Sequence, residues 1–119
     1  MNNIINLDYQ SRVPIYEQIV NSVERFVSLD ILKPNEQIPS IRDLAGTLGI
    51  NPNTVKKAYS ELERNGVITT ISTKGTFISS CVDKVIKNKI DKNIENIKII
   101  IRELEQLGLS IDDIIKRIK

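Results

Sequence analysis

Amide, hydroxyl and ammonium side chains gather near the middle of the chain. Asn51, Asn53 and Thr54 are followed at once by two cations, Lys56 and Lys57. An amide can contact an adenine edge in bidentate fashion, and lysine neutralises phosphate. The free N–H groups at a helix N-terminus also favour phosphate. If this segment opens a helix, it can therefore contact double-stranded DNA.

The segment is predicted to open the second helix of a helix-turn-helix. Asn51 is a good N-cap and Pro52 suits the first helical position, while Gly49 suits the left-handed end of a preceding helix. Ser40, with Asp43 three residues later, predicts a cap that satisfies two backbone donors. Two short helices around so tight a turn have helix-turn-helix spacing. The inner face of the later helix is predicted to consist of Val55, Ala58, Tyr59 and Leu62.

The chain before these helices is predicted to add an arm and a first helix. Ile4–Asp8 has the pattern of a short extended arm. Pro14 suits the first turn of a helix that should end near Asp30. Apolar residues recur at helical spacing along it. They are Ile15, Ile19, Val23, Phe26 and Val27.

A wing is predicted from the change of period after the third helix. Val67–Ser72 and Thr76–Ser79 are rich in strand-forming residues, with three residues between them. A hairpin after a helix-turn-helix predicts a winged helix. Because wing tips reach the minor groove or its flanking phosphates, Lys74, Gly75 and Thr76 join the candidate DNA contacts. Gly75 would let the backbone approach closely.

The last third is predicted to hold two helices, at about 82–107 and 110–118. Gly108 ends the first of them, and Ser110 with Asp113 forms a capping box for the second. An apolar stripe is more often intramolecular core, but the winged helix is too small to cover this one, so a two-fold dimer is expected to bury it. Its members have coiled-coil spacing. They are Ile86, Ile90, Ile94, Ile97, Ile101 and Leu104.

Four segments resemble the GntR family of bacterial transcription regulators, in the same order and spacing. The short tail resembles that of the YtrA subfamily, which serves dimerisation. The resemblance implies that Arg42 contacts DNA and that Ser40 touches phosphate. It also marks departures, since Asp30, Asn35 and Thr73 stand where members usually have Gly. The segments are Pro14–Ile19, Ile38–Ala45, Asn51–Tyr59 and Lys74–Phe77.

Each candidate contact also has a structural explanation. Ser40 and Asn51 are helix caps in any case. A pair of lysines on a helix is more often a solvated face, and Arg42 could form an ion pair with Asp43 or Glu36. Gly75 could be only a turn residue. The common register of these residues favours DNA contact for the set more than for any single member.

Composition excludes several classes of function. The 119 residues carry 17 basic and 15 acidic side chains, and residues 1–80 hold eight of each, so bulk charge gives no argument for nucleic acid. No His and a single Cys, Cys81, exclude His-based catalytic triads, internal disulfides and cysteine-rich zinc sites. No signal peptide or membrane span is evident. We therefore expect a cytoplasmic protein that is not an enzyme and needs no metal or cofactor.

The expected architecture is mainly α with a small β-hairpin. Residues 1–80 form a winged helix-turn-helix, and residues 81–119 form a two-helix dimerisation tail. The expected function is sequence-specific regulation of transcription by a dimeric repressor on a palindromic operator. The alternative is a winged-helix adaptor that binds proteins without specific DNA binding. Whether a small-molecule effector lodges beside the tail or at the dimer interface stays open.

Overall fold

The computed structural model describes residues 5–119, so Ile4 of the predicted arm lies outside the described residues. Helices predominate and a small sheet accompanies them, which confirms the predicted class. The helices are α1 Ile15–Ser28, α2 Ile41–Leu48, α3 Pro52–Arg64, α4 Val82–Gln106 and α5 Ile111–Ile118. The strands are β1 Gln37–Ile38, β2 Ile68–Ile71 and β3 Gly75–Ile78.

The helix-turn-helix forms where the capping residues predict it. The Asn51 side-chain oxygen accepts the Asn53 N–H at 2.8 Å, and Gly49 ends α2 at φ 68°. The Ser40 hydroxyl accepts the Asp43 N–H at 3.1 Å. Within residues 5–119 the Asp43 carboxylate returns no bond to the Ser40 N–H, so the predicted pair of cap bonds is half formed.

The sheet has a third strand, so the prediction of a two-stranded hairpin was incomplete. The strand order is β1-β3-β2, and both pairings are antiparallel. Gln37 lies opposite Phe77, and the Ile78 N–H donates to the Glu36 carbonyl at 2.8 Å. A strand of two residues has no alternation for a sequence pattern to detect. Consequently β1 is defined only by its long-range partner.

One aliphatic core holds α1, α2, α3 and the sheet together. Ile19 and Val23 of α1, Leu44 of α2 and Ile78 of β3 are completely buried. Burying such side chains is the main stabilising contribution to folding. The four residues predicted for the inner face of α3 are all buried as well, which confirms that prediction.

Within residues 5–119, three non-glycine residues adopt positive φ, at the positions where the family resemblance leads us to expect glycine. Asp30 has φ 60°, Asn35 has φ 67° and Thr73 has φ 67°. Asp and Asn tolerate the left-handed region because their short polar side chains can bond locally. Thr73 is β-branched, so its conformation stores strain at the wing.

The chain divides into two compact units within α4. The first unit ends at Ile86 and the second is Lys87–Lys119, whereas the predicted boundary lay at residue 80. In the second unit, the Leu109 N–H donates to the Leu104 carbonyl at 3.2 Å. That bond closes the C-terminal end of α4, as expected when a glycine follows a helix. The predicted capping box at the start of α5 is formed in full, which confirms it.

Candidate nucleic-acid interface

The first half of α3 presents polar side chains to solvent. Asn53, Lys56 and Lys57 are exposed, and Thr54 is half-buried. They lie opposite the buried face that anchors the helix in the core. The exposed Asn51 begins the helix, and its side-chain oxygen is occupied by the cap. The structure thus brings these five candidates together around one helix N-terminus.

Lys57 is held by an aromatic ring that the sequence analysis missed. Its Nζ atom lies 4.0 Å from the centroid of the Tyr16 ring. Tyr16 belongs to the first turn of α1. Such cation–π contacts attract a cation to the ring face. Desolvation and, next, the carboxylates of Glu17 and Glu61 raise the pKa of the Tyr16 phenol. The ring beneath Lys57 is therefore a neutral phenol at physiological pH.

A buried hydroxyl fixes the beginning of α2 on α3. The Tyr59 hydroxyl donates to the Pro39 carbonyl at 2.7 Å. Burial raises the pKa of Tyr59, so the hydroxyl keeps its proton and remains a donor. Pro39 immediately precedes Ser40 and lies three residues before Arg42. The bond therefore sets where these two candidates lie relative to α3.

Arg42 lies on the open outer face of α2. Together with neighbours on α2 and with Pro39 it lines an open depression of about 640 Å³. Arg42 forms no ion pair with Asp43 or Glu36 within the part of the chain that the structure describes. Its guanidinium is consequently an exposed cation beside the helix-turn-helix.

The wing tip is a closed turn whose position differs by one residue from the prediction. The Lys74 N–H donates to the Ile71 carbonyl at 3.0 Å, and Gly75 already pairs with Ile71 as the first residue of β3. The connecting residues are therefore 72–74 rather than 73–75. Gly75 reaches φ 124° while keeping its place in the ladder. Lys74 is exposed at the tip, and Gly75 and Thr76 are half-buried.

Gln37 of β1 packs directly on the wing. Its Nε2 atom donates to the Lys74 carbonyl at 3.2 Å. A Cβ atom on Gly75 would lie 2.6 Å from the same nitrogen, closer than real Cβ contacts. The missing side chain of Gly75 thus makes room for Gln37, which is an intramolecular reason for a glycine at this position.

A second side chain holds the wing from its other edge. The Glu63 carboxylate accepts the Thr70 N–H of β2 at 3.0 Å. Glu63 lies in the last turns of α3, so this bond ties the outer strand of the wing to that helix. No sequence pattern predicts this contact, because the two residues belong to different elements.

The comparisons with known proteins agree with this architecture. A family model described as bacterial regulatory proteins of the gntR family matches residues 15–78. The chain belongs to the GntR family. It is 37% identical over 117 residues to the HTH-type transcriptional repressor YtrA of Bacillus subtilis, covering 98% of this chain and 90% of that protein.

Two solved structures are similar to almost the whole chain. A transcriptional regulator from Oenococcus oeni has 37% identity and a TM-score of 0.73, covering 94% of this chain and 93% of its own. A protein described as a transcriptional antiterminator from Listeria monocytogenes has 42% identity and a TM-score of 0.74, covering 98% and 87%. This GntR-family chain is therefore a transcription regulator with a winged helix-turn-helix and a helical C-terminal region, and not an enzyme.

The apolar stripe of α4 in this GntR regulator, which we call the seam, is partly covered at both ends. Ile86 is buried in the core of the first unit. Ile101 and Leu104 are half-buried in the second unit, where Ile114 of α5 is buried. These three seam residues therefore already have intramolecular neighbours.

The middle of the seam lies open. Ile90, Ile94 and Ile97 are 49%, 47% and 51% exposed. Ile100 and Leu107, which widen the same face, are also exposed. The uncovered part of the predicted dimer interface is thus the middle of α4.

Other kinds of site have little support in this GntR chain. Within residues 5–119 no cluster of three or more His, Cys, Asp or Glu side chains could hold a metal ion. No helix among those residues is long and apolar enough to cross a membrane. Cys81 is an exposed free thiol with its Sγ atom 3.3 Å from the Ser79 Oγ atom.

Proposed function

We propose that this GntR-family regulator is a dimeric repressor that binds an inverted-repeat operator in double-stranded DNA. Each copy would place α3 in the major groove of one half-site, and the two-fold axis of the dimer would match that of the operator. Binding near a promoter would block RNA polymerase. The protein would act in the cytoplasm, where bacterial DNA lies.

The observation that carries this proposal is that α3 has one buried apolar face and one exposed polar face. One face is buried, while Asn53 and Lys56 stand exposed in the first half of the helix, directly after the turn. In helix-turn-helix proteins it is the N-terminal part of the recognition helix that contacts base edges.

The side-chain chemistry suggests separate roles along α3. Asn53 suits an adenine edge, Thr54 either a base or a phosphate, and Lys56 a phosphate. Asn51 has committed its oxygen to the cap, so its amide N–H groups remain for DNA. The Ser40 oxygen likewise accepts a cap bond and keeps its O–H for a phosphate.

Two further cations would extend the interface beyond α3. Arg42 and Lys74 are exposed, and neither forms an ion pair with another described residue. Arg42 could bind a guanine in bidentate fashion, and Lys74 with Gly75 and Thr76 would approach the minor groove or its phosphates. Lys57 would meet phosphate from its place over Tyr16.

The balanced charge of residues 1–80 fits a protein that discriminates between sequences. Phosphate attraction supplies most non-specific affinity. With eight basic and eight acidic side chains in that region, this attraction is weak. Affinity would then depend on correct bases and on two linked half-sites, and we expect poor binding to random DNA at physiological salt.

The open isoleucines of α4 support a second copy of this chain as partner. Three isoleucines about half exposed and one helical turn apart form an apolar stripe that water disfavours. Seam spacing of 3 and 4 residues suits packing against an identical helix. Such a dimer would supply the pairing of recognition helices that a palindromic operator requires.

Selection from a random duplex library with the wild-type protein tests the proposal, and we expect an inverted repeat to emerge. Arg42→Ala should then cost about 1–3 kcal/mol and relax base preference at one position per half-site. Arg25→Ala, which removes an exposed cation from the end of α1, is the matched control and should bind normally.

Two results would contradict the proposal. Equal losses on selected and random duplexes would show that Arg42 reads no base. Failure to enrich any duplex at micromolar protein, with no salt-sensitive shift of the DNA upstream of its own gene, would favour the adaptor function instead.

A further inference from the structure

We propose that Gln37 is a positioning residue that fixes the wing tip of this regulator for DNA contact by Lys74. The inference rests on the proposed DNA binding and adds a residue to it. Gln37 itself is not expected to touch DNA. It acts on the backbone of the residue that does.

The hydrogen bond from Gln37 reaches the tip from a separate strand. Its Nε2 atom donates to the Lys74 carbonyl at 3.2 Å, across 37 positions of sequence. Gln37 lies opposite Phe77 in the β1–β3 pairing, so its side chain runs along the sheet toward the turn. The carbonyl that it binds belongs to the exposed lysine at the tip.

Gly75 leaves room for this contact because it has no side chain. A Cβ atom there would lie 2.6 Å from Gln37 Nε2 and 3.7 Å from its Cδ atom. A Cβ atom there would push the Gln37 amide out of this position, and the φ of 124° at Gly75 also favours glycine. The glycine and the glutamine therefore work as a pair, and the close approach of Gly75 is to Gln37 within the chain.

The tip needs such a restraint because its own conformation is unfavourable. Thr73 holds φ 67°, which a β-branched residue rarely adopts. Strained backbone persists where surrounding structure over-determines it. The Lys74–Ile71 turn bond and the Gln37 bond both act on Lys74, on its N–H and its carbonyl respectively.

The strand that holds the tip is itself anchored to the recognition helix. β1 ends at Ile38 and is followed directly by Pro39, whose carbonyl accepts the Tyr59 hydroxyl of α3 at 2.7 Å. Gln37 thus connects the wing tip to the same short segment that carries Ser40 and Arg42. A preorganised tip loses less entropy when it binds.

A double-mutant cycle on the full-length protein tests the inference. Gln37→Met removes the donor but keeps a long unbranched side chain, and Lys74→Ala removes the proposed contact. On the duplex selected with wild-type protein, Gln37→Met should weaken binding about threefold to tenfold, the effect of one hydrogen bond. In the Lys74→Ala background the same change should have no effect.

Two further readouts separate positioning from general stability. Lys74→Ala should lower the slope of log affinity against log salt by about 1, and Gln37→Met should lower it part of the way. Amide exchange at Lys74 should accelerate in free Gln37→Met, with the urea midpoint unchanged. Gln106→Met, at an exposed position near the end of α4, is the control and should match wild type throughout.

The outcomes that overturn the inference are distinct from those that overturn the proposed function. Wild-type affinity in Gln37→Met, while Lys74→Ala weakens binding, would refute only the role of Gln37. Equal losses in both backgrounds would mean that Gln37 acts on a residue other than Lys74. Wild-type affinity in Lys74→Ala would show that Lys74 does not contact DNA. If the wild-type protein selects no duplex, the proposed function fails and the inference fails with it.

Discussion

The two units of the molecule bury their apolar side chains differently. The unit that ends at Ile86 encloses a continuous aliphatic core, with Ile19, Leu44 and Leu62 completely buried. In the unit Lys87–Lys119, Ile114 is the buried hydrophobic among the described residues, and the middle of α4 is open. The first unit therefore has what it needs to fold alone. The second leaves an apolar surface of α4 exposed to solvent.

Apolar substitutions should therefore lower the stability of the first unit and change the assembly of the second. The largest expected effect is a loss of stability in the first unit. Leu62→Ala would leave a cavity in a fully buried site and should cost about 2–5 kcal/mol of unfolding free energy. Urea denaturation at two protein concentrations measures it, and the loss should not depend on concentration. Ile99→Ala, at an exposed position on the far side of α4, is the control. Similar losses in both variants would erase the distinction between the units.

A charge in the open stripe should instead change assembly and leave the first unit folded. Ile94→Glu should yield monomers in sedimentation equilibrium and weaken operator binding by about 100-fold, since the half-sites are no longer linked. Ile99 is equally exposed but lies on the far side of α4 by helical spacing. Ile99→Glu should therefore remain dimeric. A dimeric Ile94→Glu variant would move the interface elsewhere.

Within the first unit, the surface pair Tyr16 and Lys57 should have a smaller effect. Lys57→Ala should weaken binding to all sequences alike and lower the salt slope by about 1. Tyr16→Leu removes the ring that positions the ammonium and should weaken binding by less than Lys57→Ala does. Tyr16→Phe keeps the ring and should bind normally. A Tyr16→Leu loss that persists in Lys57→Ala would show that the ring acts by another route.

The smallest expected effect is a gain of stability at the wing. Thr73→Gly relieves a positive φ at a β-branched residue, and after the greater flexibility of unfolded glycine is subtracted we expect about 0.5–1 kcal/mol. Thermal unfolding measures it. Asn35→Gly is the matched substitution at a residue that tolerates the left-handed region, so it should gain less. A larger gain there would refute the assignment of strain to Thr73.

Local signals allowed most elements to be predicted. Ser40, Gly49 and Asn51 mark helix ends through bonds to near neighbours, so their effect is visible in sequence. The coiled-coil spacing of α4 and the capping box at Ser110 are local in the same way. The family resemblance then placed the candidate contacts on α2, α3 and the wing.

What could not be predicted depends on partners distant in sequence. β1 is two residues long and exists through its pairing with β3. The contacts of Tyr16 with Lys57 and of Gln37 with Lys74 join elements whose relative placement no periodicity reveals. Ile86 has the spacing of the seam but the first unit buries it. Periodicity identifies an apolar face and does not identify its neighbour.

The bond between Glu63 and Thr70 has a consequence for aggregation. β2 is an outer strand of the sheet, and its outward N–H groups could recruit a strand from another copy of the chain. The Glu63 carboxylate occupies one of those donors and places a negative charge beside the edge. The exposed wing is therefore less prone to pair with a strand of another copy and form an intermolecular sheet.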